Sequence, residues 1–370
     1  MAELAAQILE FRPKMAVVST GEVLERLAAA LRESGLPATE WPDLGAGARA
    51  RVESAIAAEV DFVMSAIVGV AGMEATHAAV NLGKTVGLAN KELLVASGAL
   101  LIEAASRSGA ELIPVDSEHN GAHQCLRAGR RSEVSRLILT ASGGPFRGSS
   151  MEELENVTPE QALNHPTWRM GKRISLDSAT MMNKGFEVIE ACWLFGFKPS
   201  EVDVVIHPQS KVHAMVEYVD GSVLAQIAAT DMRMPIQYAL TYPAREVTPV
   251  PRLGWDEARV WEFYPPDLRK FPLLRLAYEA QEAGGSAACT LNAADEVAVE
   301  AFLGGKIGFL EIAEVVEETL GGMDHGSPDS VGEVLEIDSR SRSLARSIIE
   351  KRSRAARPAA SPVATTQRPC

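Results

Sequence analysis

Two carboxylates two positions apart, Asp116 and Glu118, directly follow a short apolar segment that ends at Val115. Residues two apart in an extended segment point the same way, so these side chains would repel each other unless a cation lay between them. Their oxygens are hard ligands that favour Mg²⁺ or Mn²⁺. The same spacing also occurs in ordinary acidic surface loops, which are the commoner case.

A second group of polar residues lies further along the chain. Ser178, Asn183 and Lys184 are hydrogen-bond donors, and Glu187 is a third carboxylate. Asn183 and Lys184 are four and three residues before Glu187, so all three can share one face of a helix. Donors near a helix N-terminus can bind a phosphate. A helix cap followed by a Lys–Glu surface pair would give the same pattern.

Three shorter motifs add further donors and cations. Ser142 precedes two glycines and could form an anion-binding nest or a plain tight turn. The segment 165–172 combines His165, Trp168 and two cations, a composition typical of a mobile loop that closes over an anion, or of an ordinary surface loop. Lys91 could contact a phosphate or a substrate hydroxyl, or form a surface pair with Glu92.

The elements that must position these residues begin with alternating strand and helix patterns. This alternation predicts an α/β fold with a parallel sheet and helices on both faces. Ligands of such sheets bind at the carboxyl ends of the strands, where Lys91 and Asp116 follow predicted strands. The predicted strands are 15–18, 61–67, 85–89 and 111–115, and the helices between them include 23–33 and 72–82.

The middle and last thirds have different patterns. Residues 179–196 have helical spacing, 136–140 and 202–206 are strand-like, and Asp220–Gly221 between 212–219 and 222–227 indicates a hairpin, which together predict an α+β region. Five prolines between 243 and 266 indicate a connector. Helical patterns at 273–282, 293–302 and 309–320 predict a small helical domain, and the Ala-, Ser-, Pro- and Arg-rich segment 351–370 is expected to be disordered.

Composition excludes several classes of protein. The net charge of −13 argues against a general nucleic-acid partner, because phosphate backbones require a basic surface. Four scattered cysteines without CxxC spacing predict neither a zinc site nor a disulfide framework, and fit a reducing compartment. No apolar run reaches the ~18–20 residues of a membrane span, and no signal peptide is visible, so we expect no membrane association and a cytoplasmic location.

The order of the motifs is more specific than any one of them. The chain contains, in sequence, LANKE, PVDSEHN, ASGGPF, HPTWRMGK, DSATMMNKGFE, HPQS and DGSVLAQ. In this it closely resembles the 1-deoxy-D-xylulose 5-phosphate reductoisomerase family, from about the first strand to near residue 351. The resemblance implies conversion of 1-deoxy-D-xylulose 5-phosphate to 2-C-methyl-D-erythritol 4-phosphate in non-mevalonate isoprenoid synthesis. It also implies NADPH, a divalent metal (Mn²⁺, Mg²⁺ or Co²⁺) and a homodimer.

The resemblance also assigns roles to individual residues. Metal ligands would be Asp116, Glu118 and Glu187, which with Lys91 and His165 would form the catalytic group. Trp168 would lie in a flexible lid, and Asn90, Glu92 and Gly171 would contact the nicotinamide cofactor. The substrate-binding residues would be Lys91, Ser117, Glu118, Ser142, His165, Ser178, Asn183, Lys184 and Glu187.

The predicted fold class is therefore α/β: an incomplete Rossmann-like parallel sheet domain, an α+β catalytic domain and a small C-terminal helical domain. The expected boundaries are 1–115 for the NADPH-binding domain, 116–241 for the catalytic domain, 242–268 for a linker, 269–350 for the helical domain and 351–370 for the tail. The family's G-x-T-G-x-x-G loop is not found in this sequence. We expect that a first βαβ segment is missing, through a misassigned start or a real short form, and that NADPH binds poorly and the fold is destabilised.

Two other functions fit parts of the pattern. A metal-dependent sugar-phosphate isomerase or aldolase that does not reduce its substrate would keep the carboxylates and the phosphate donors. An inactive truncated paralogue would be expected to have a damaged site, whereas Asp116, Glu118, Lys184 and Glu187 are all present.

Overall fold

The computed structural model describes residues 1–355, and its first third alternates strands with helices. The strands pair in parallel, as the alternation predicted. The strands are β1 (Met15–Val18), β2 (Asp43–Ala46), β3 (Phe62–Ser65), β4 (Thr85–Leu88) and β5 (Leu112–Pro114). The helices are α1 (Ala2–Phe11), α2 (Gly21–Glu33), α3 (Gly47–Ile56), α4 (Met73–Asn81) and α5 (Lys91–Ser108).

These five strands form two sheets rather than the single sheet expected. β1 pairs with β2, while β3, β4 and β5 form a separate three-stranded sheet with β4 in the centre. The sequence pattern missed β2, because Leu44 is its only large apolar residue, and it also missed α1. In α1 the buried Ile8 packs into a small core with Leu27 and Leu31 of α2.

The middle of the chain builds a mixed four-stranded sheet in the order β7-β6-β8-β9. β6 pairs in parallel with β7 and antiparallel with β8, and β8 and β9 form the predicted hairpin around Gly221, whose φ is 84°. The strands are β6 (Val134–Ala141), β7 (Val202–Ile206), β8 (Val212–Tyr218) and β9 (Val223–Ile227). The helices are α6 (Ser117–Leu126), α7 (Met151–Glu155), α8 (Pro159–Ala162), α9 (Lys172–Ala179), α10 (Met182–Phe195) and α11 (Arg233–Thr241).

The last third is helical, as predicted, and follows a stretch with little regular structure. Between α11 and α12 the structure assigns a single bridge, from Tyr264 to Ile206. Phe186 of α10 is fully buried in the main core, to which the C-terminal helices also contribute. These helices are α12 (Pro272–Ala283), α13 (Ala287–Leu303), α14 (Glu311–Gly321) and α15 (Val331–Ala355).

One expectation for the C-terminus is wrong in part. Residues 351–355 belong to α15 rather than to a disordered tail. Arg352 pairs with Glu314 and Glu318 of α14, which explains why the helix continues. Residues 356–370 lie outside the described residues, and the domain boundaries stay predictions. Within residues 1–355, no helix combines the length and the apolar character needed to cross a membrane.

Candidate metal and substrate site

A cavity of about 430 Å³ opens where β4, β5 and β6 end, facing the N-terminal ends of α5 and α6. β4 and β5 end at one edge of their parallel sheet, and β6 of the four-stranded sheet ends beside them, so motifs distant in sequence meet at this cavity. Nearly all of the residues singled out in the sequence line this cavity. They are Asn90, Lys91, Glu92, Asp116, Ser117, Glu118, Ser142, His165, Trp168, Gly171, Ser178, Asn183 and Lys184.

Glu187 is the exception, since its side chain is fully buried behind the cavity wall. Its carboxylate accepts hydrogen bonds from Asn183 Nδ2, at 2.6 Å, and from Lys184 Nζ. One turn of α10 therefore connects Glu187 to two residues that do line the cavity. This is the shared helix face that the spacing predicted.

Lysines lie between the carboxylates. Lys91 Nζ is 2.6 Å from Asp116 Oδ2 and 3.4 Å from Glu187 Oε1. Lys184 Nζ is 3.8 Å from Glu118 Oε2, which also accepts a hydrogen bond from Ser117 Oγ at 3.0 Å. Single ligand atoms of Asp116, Glu187 and His119 all lie within 4.8 Å of one another. Glu118 is on the same wall, so the sequence triad and this geometric triad share two members.

Burial and the neighbouring charges raise the pKa values of Glu187 and Lys91 and lower the pKa of Asp116. Burial, with the nearby charge of Asp116, raises the pKa of Glu187 to about 7. Burial would also raise the pKa of Asp116, but the charge of Lys91 and the interaction with His119 outweigh it and hold that pKa well below its usual range. Burial opposes the charge on Lys91, yet Asp116 and Glu187 raise the pKa of its ammonium group well above normal. Asp116 and Glu187 therefore favour the charged form of Lys91.

Sequence reasoning missed a buried layer beneath this site, made by His119 and Glu190. His119 Nε2 donates to the main-chain oxygen of Glu187 at 2.8 Å, and its Nδ1 lies 3.3 Å from Glu190 Oε2. Burial opposes the charge on His119, but Glu190 and Asp116 raise its pKa to about 9, while burial raises the pKa of Glu190 to about 7. Both residues follow a predicted ligand by three positions on a helix, and this spacing could have revealed them.

Ser142 and His165 contribute neutral polar groups to the cavity lining. His165 Nδ1 accepts hydrogen bonds from the backbone N–H groups of Thr167 and Trp168, so its Nε2–H donates to Ser142 Oγ at 2.9 Å. Burial lowers the pKa of His165, which favours this neutral form. Gly144 N–H also donates to Ser142 Oγ, at 3.1 Å.

The glycines after Ser142 are required by close approach. Gly144 has a φ of 65°, and a Cβ built there would lie 2.6 Å from the main-chain oxygen of Ser178. The turn therefore packs against the end of α9 and brings Ser142 and Ser178 to the same wall.

The residues assigned to the cofactor form a third group. Asn90 Nδ2 donates to the main-chain oxygens of Gly69 (2.8 Å) and Ile67, in the loop after β3. Gly171 is the N-cap of α9. Asn90 therefore holds the loop after β3, from which Ala66 and Val68 line the cavity.

Other lining residues were given no individual role by the sequence, although Met181 and Ser210 lie within the quoted motifs. Met181 and Ser210 line the cavity in left-handed conformations, with φ of 65° and 47°, which are unusual for residues other than glycine. Met232 and Arg173 line it as well. Backbone strain of this kind depends on tertiary contacts, so spacing alone could not predict it.

Comparisons with known proteins identify the family. Models described as 1-deoxy-D-xylulose 5-phosphate reductoisomerase match residues 1–98 and, for C-terminal domains of the same enzyme, residues 112–195 and 227–344. The protein of that name from Solibacter usitatus is 69 % identical over 345 residues, which span 93 % of this chain and 87 % of the relative. The chain belongs to the 1-deoxy-D-xylulose 5-phosphate reductoisomerase family.

Further relatives support the family membership by sequence and by structure. The reductoisomerase of Pseudomonas aeruginosa strain UCBPP-PA14 is 50 % identical, covering 93 % of this chain and 87 % of that protein. The Zymomonas mobilis enzyme in complex with NADPH is 45 % identical with a TM-score of 0.87, covering 94 % of this chain and 89 % of its own. A DOX-P reductoisomerase in complex with NADPH, fosmidomycin and magnesium is 40 % identical, with the same TM-score and coverage.

These comparisons confirm the fold class and the family. The expected loss of an N-terminal βαβ segment is not confirmed, because the family model matches from residue 1.

Proposed function

We propose that this chain converts 1-deoxy-D-xylulose 5-phosphate to 2-C-methyl-D-erythritol 4-phosphate, using NADPH and a divalent metal. One observation carries the proposal: the carboxylates of Asp116 and Glu118 and the donors Ser142, Ser178 and Lys184 line the same cavity. A sugar phosphate needs both, because its hydroxyl and ketone oxygens suit a metal and its phosphate suits donors and cations.

The donor set fits a hard divalent cation. Asp116 and Glu187 present oxygens close together, and Glu118 lies on the same wall. Oxygen ligands of this type accept Mg²⁺, Mn²⁺ or Co²⁺. The metal supplies a Lewis acid at the ketone and an adjacent hydroxyl, and NADPH supplies the hydride that reduces the rearranged aldehyde.

The protein's own residues bind and orient the substrate. Ser142, Ser178, Asn183 and Lys184 hold the phosphate, and His165 keeps Ser142 oriented through its Nε2–H. Binding energy from this remote phosphate fixes the geometry at the reacting carbons.

Lys91 and Trp168 complete the proposal on the reacting side. The Lys91 ammonium stays charged and stabilises negative charge on substrate oxygens beside Asp116. Trp168 closes over the substrate and excludes water that would compete for the metal. Asn90, Glu92 and Gly171 contact the nicotinamide end of NADPH.

Several finer points belong to the same proposal. A homodimer is expected, and exposed apolar residues on the edge strand β9, Val223 and Leu224, are a surface that a second subunit could cover. Sedimentation at micromolar concentration tests the dimer, and cell fractionation tests the cytoplasmic location. A fluorescence titration measures NADPH binding, which the proposed function requires.

One assay separates this function from its alternatives. The chain is incubated with 1-deoxy-D-xylulose 5-phosphate, Mn²⁺ and NADPH, the near-ultraviolet absorbance of NADPH is followed, and the products are analysed. Oxidation of NADPH with formation of the branched polyol phosphate supports the proposal. Rearrangement without oxidation would support the non-reducing isomerase, and no turnover would support an inactive paralogue.

A further inference from the structure

Arg173, in the first turn of α9, is held by two buried carboxylates. Its Nε donates to Asp177 Oδ2 at 2.9 Å, one turn later on the same helix. Its Nη2 donates to Asp295 Oδ2 at 2.6 Å, on α13. Asp177 and Asp295 are 2 % and 0 % exposed, so the ion pairs are shielded from solvent. α9 is therefore tied directly to the C-terminal helices.

The ion pairs extend beyond these three residues. Arg173 Nη1 lies 3.4 Å from Glu296 Oε1 on α13, and Glu296 also pairs with Arg342 of α15. Arg342 in turn contacts Asp338 at 2.7 Å. A Cβ built at Gly69 would lie 3.3 Å from Glu296 Oε1, so this carboxylate also reaches the loop after β3. The network joins α9, α13 and α15, and it reaches the loop after β3 that Asn90 holds.

The network depends on the guanidinium group. Burial, with the charge of Asp177, raises the pKa of Asp295 well above its usual range, and burial raises the pKa of Asp177. The charge of Arg173 opposes both shifts. Without Arg173, two buried acids would face each other with no cation between them, an arrangement that is costly for a packed interface.

α9 carries cavity residues at both of its ends. Gly171 is its N-cap and continues the segment of Trp168, and Ser178 is its second-last residue. Arg173 borders the cavity as well, but its guanidinium nitrogens are directed at Asp177, Asp295 and Glu296. The geometry fits a residue that positions the phosphate site better than one that binds the phosphate.

We infer that Arg173 and Asp295 are positioning residues, which fix α9 against the C-terminal helices so that Ser178 and the Trp168 segment are correctly placed for the substrate phosphate. The inference rests on the phosphate site of the proposed function. It gives the C-terminal helices a role in substrate binding, although they contribute no residue to the cavity lining described above.

The test compares Arg173→Lys, Arg173→Met and Asp295→Asn with the wild type. Lysine keeps the charge but lacks the fork that reaches two acids, so it separates geometry from charge. We expect kcat/KM for the sugar phosphate to fall on the order of tenfold to a hundredfold, mainly through KM, because small misplacements have effects of that size. Arg173→Met should be affected more than Arg173→Lys, and Mn²⁺ affinity in the absence of substrate should be unchanged.

Hydrogen exchange provides a readout that does not depend on turnover. Backbone amides of residues 165–179 should exchange faster in Arg173→Lys than in the wild type, without substrate or cofactor. The matched control is Arg352→Lys, which weakens an ion pair between α14 and α15 that does not touch α9. It should leave both KM and exchange at 165–179 unchanged.

The outcomes are distinguishable. Wild-type KM and wild-type exchange in Arg173→Lys would overturn the inference, and so would an equal effect of Arg352→Lys. If Arg173→Met does not fold, Arg173→Lys decides the matter. An inactive wild-type chain would contradict the proposed function instead. The exchange result would still show whether Arg173 fixes α9 against the C-terminal helices.

Discussion

Lys91 Nζ lies 2.6 Å from Asp116 Oδ2, so the carboxylate expected to bind the metal already has a protein cation as its partner. Glu187 shares the same lysine at 3.4 Å. The lysine lowers the repulsion between the acids, and a divalent cation placed there would compete with it for the same oxygens.

This competition predicts separate effects on metal binding and on catalysis. Replacing Lys91 by methionine should leave Mn²⁺ affinity equal to or higher than that of the wild type, because a competing cation is removed. Turnover should fall on the order of 10²–10³-fold, since a charge that stabilises the substrate oxygens is lost. Calorimetric titration with Mn²⁺ and steady-state kinetics measure the two effects.

Lys14→Met is the control for the Lys91 variant, since Lys14 pairs with Glu59 at the exposed surface. It should change neither quantity. A marked loss of Mn²⁺ affinity in Lys91→Met would contradict the competition.

The sequence predicts the parts of this arrangement that leave a local periodic pattern or a recognisable motif. The alternation of strands and helices and the Asp220–Gly221 turn predicted parallel pairing and a hairpin, because local periodicity records which face is buried. Asn183 and Glu187 were placed on one helix face for the same reason. Most cavity residues were singled out by residue type and spacing, and the order of the motifs then identified the family that assigns them roles.

Other features depend on contacts that no local pattern records. The side chain of Glu190 is buried against His119, from a different helix, and Met181 is held in a left-handed conformation by its surroundings. β2 was missed because Leu44 is its only large apolar residue. Spacing could have placed His119 and Glu190 beside predicted ligands, but their contact with each other, the conformation of Met181 and the pairing of β2 depend on the assembled fold.

Gly144 provides a test of the phosphate wall. Gly144→Ala adds a Cβ at 2.6 Å from the main-chain oxygen of Ser178, at a φ of 65°. The variant should lose about 1–3 kcal/mol of stability from backbone strain, and KM should rise because Ser142 and Ser178 move apart. Urea unfolding and steady-state kinetics measure both.

Gly148→Ala is the matched control for the Gly144 variant, because a Cβ there meets nothing within 4 Å. Its stability and its KM should stay close to wild type. Equal behaviour of the two variants would show that the turn does not hold the wall.

The buried layer predicts a pH dependence of stability in metal-free protein. Burial raises the pKa of Glu190 from its ordinary value of 4.5 to about 7, so the folded state favours the protonated acid. A raised folded pKa gives a stability contribution that is complete below about pH 4.5 and is lost as the pH rises through about 7.

Glu190→Gln should therefore flatten this part of the profile. With EDTA present, the loss of unfolding free energy between about pH 5 and pH 7.5 should be smaller in the variant than in the wild type. Urea unfolding at the two values measures the difference. An unchanged slope would mean that Glu190 does not titrate in this range.

The family resemblance and the geometry of the site indicate different third metal ligands beside Asp116 and Glu187. The family resemblance assigns Glu118, whereas the atoms found closest to Asp116 and Glu187 include His119. His119 Nε2 donates to the main chain of Glu187, and burial is opposed by Glu190 and Asp116, which raise its pKa to about 9. Both ring nitrogens of His119 face other groups, the main-chain oxygen of Glu187 and the carboxylate of Glu190, whereas Glu118 lines the cavity, so Glu118 is the better candidate.

Glu118→Gln and Asp116→Asn should accordingly lose most of the Mn²⁺-dependent rise in Tm. A bound ligand stabilises the folded state by about 2.7 kcal/mol at a hundred times its Kd, so loss of binding removes a shift that thermal melting detects. Asp203→Asn is the control, because Asp203 pairs with Arg136 on the sheet and should keep the full rise. A full Mn²⁺ effect in Glu118→Gln, together with its loss in His119→Gln, would instead assign the third ligand to the histidine.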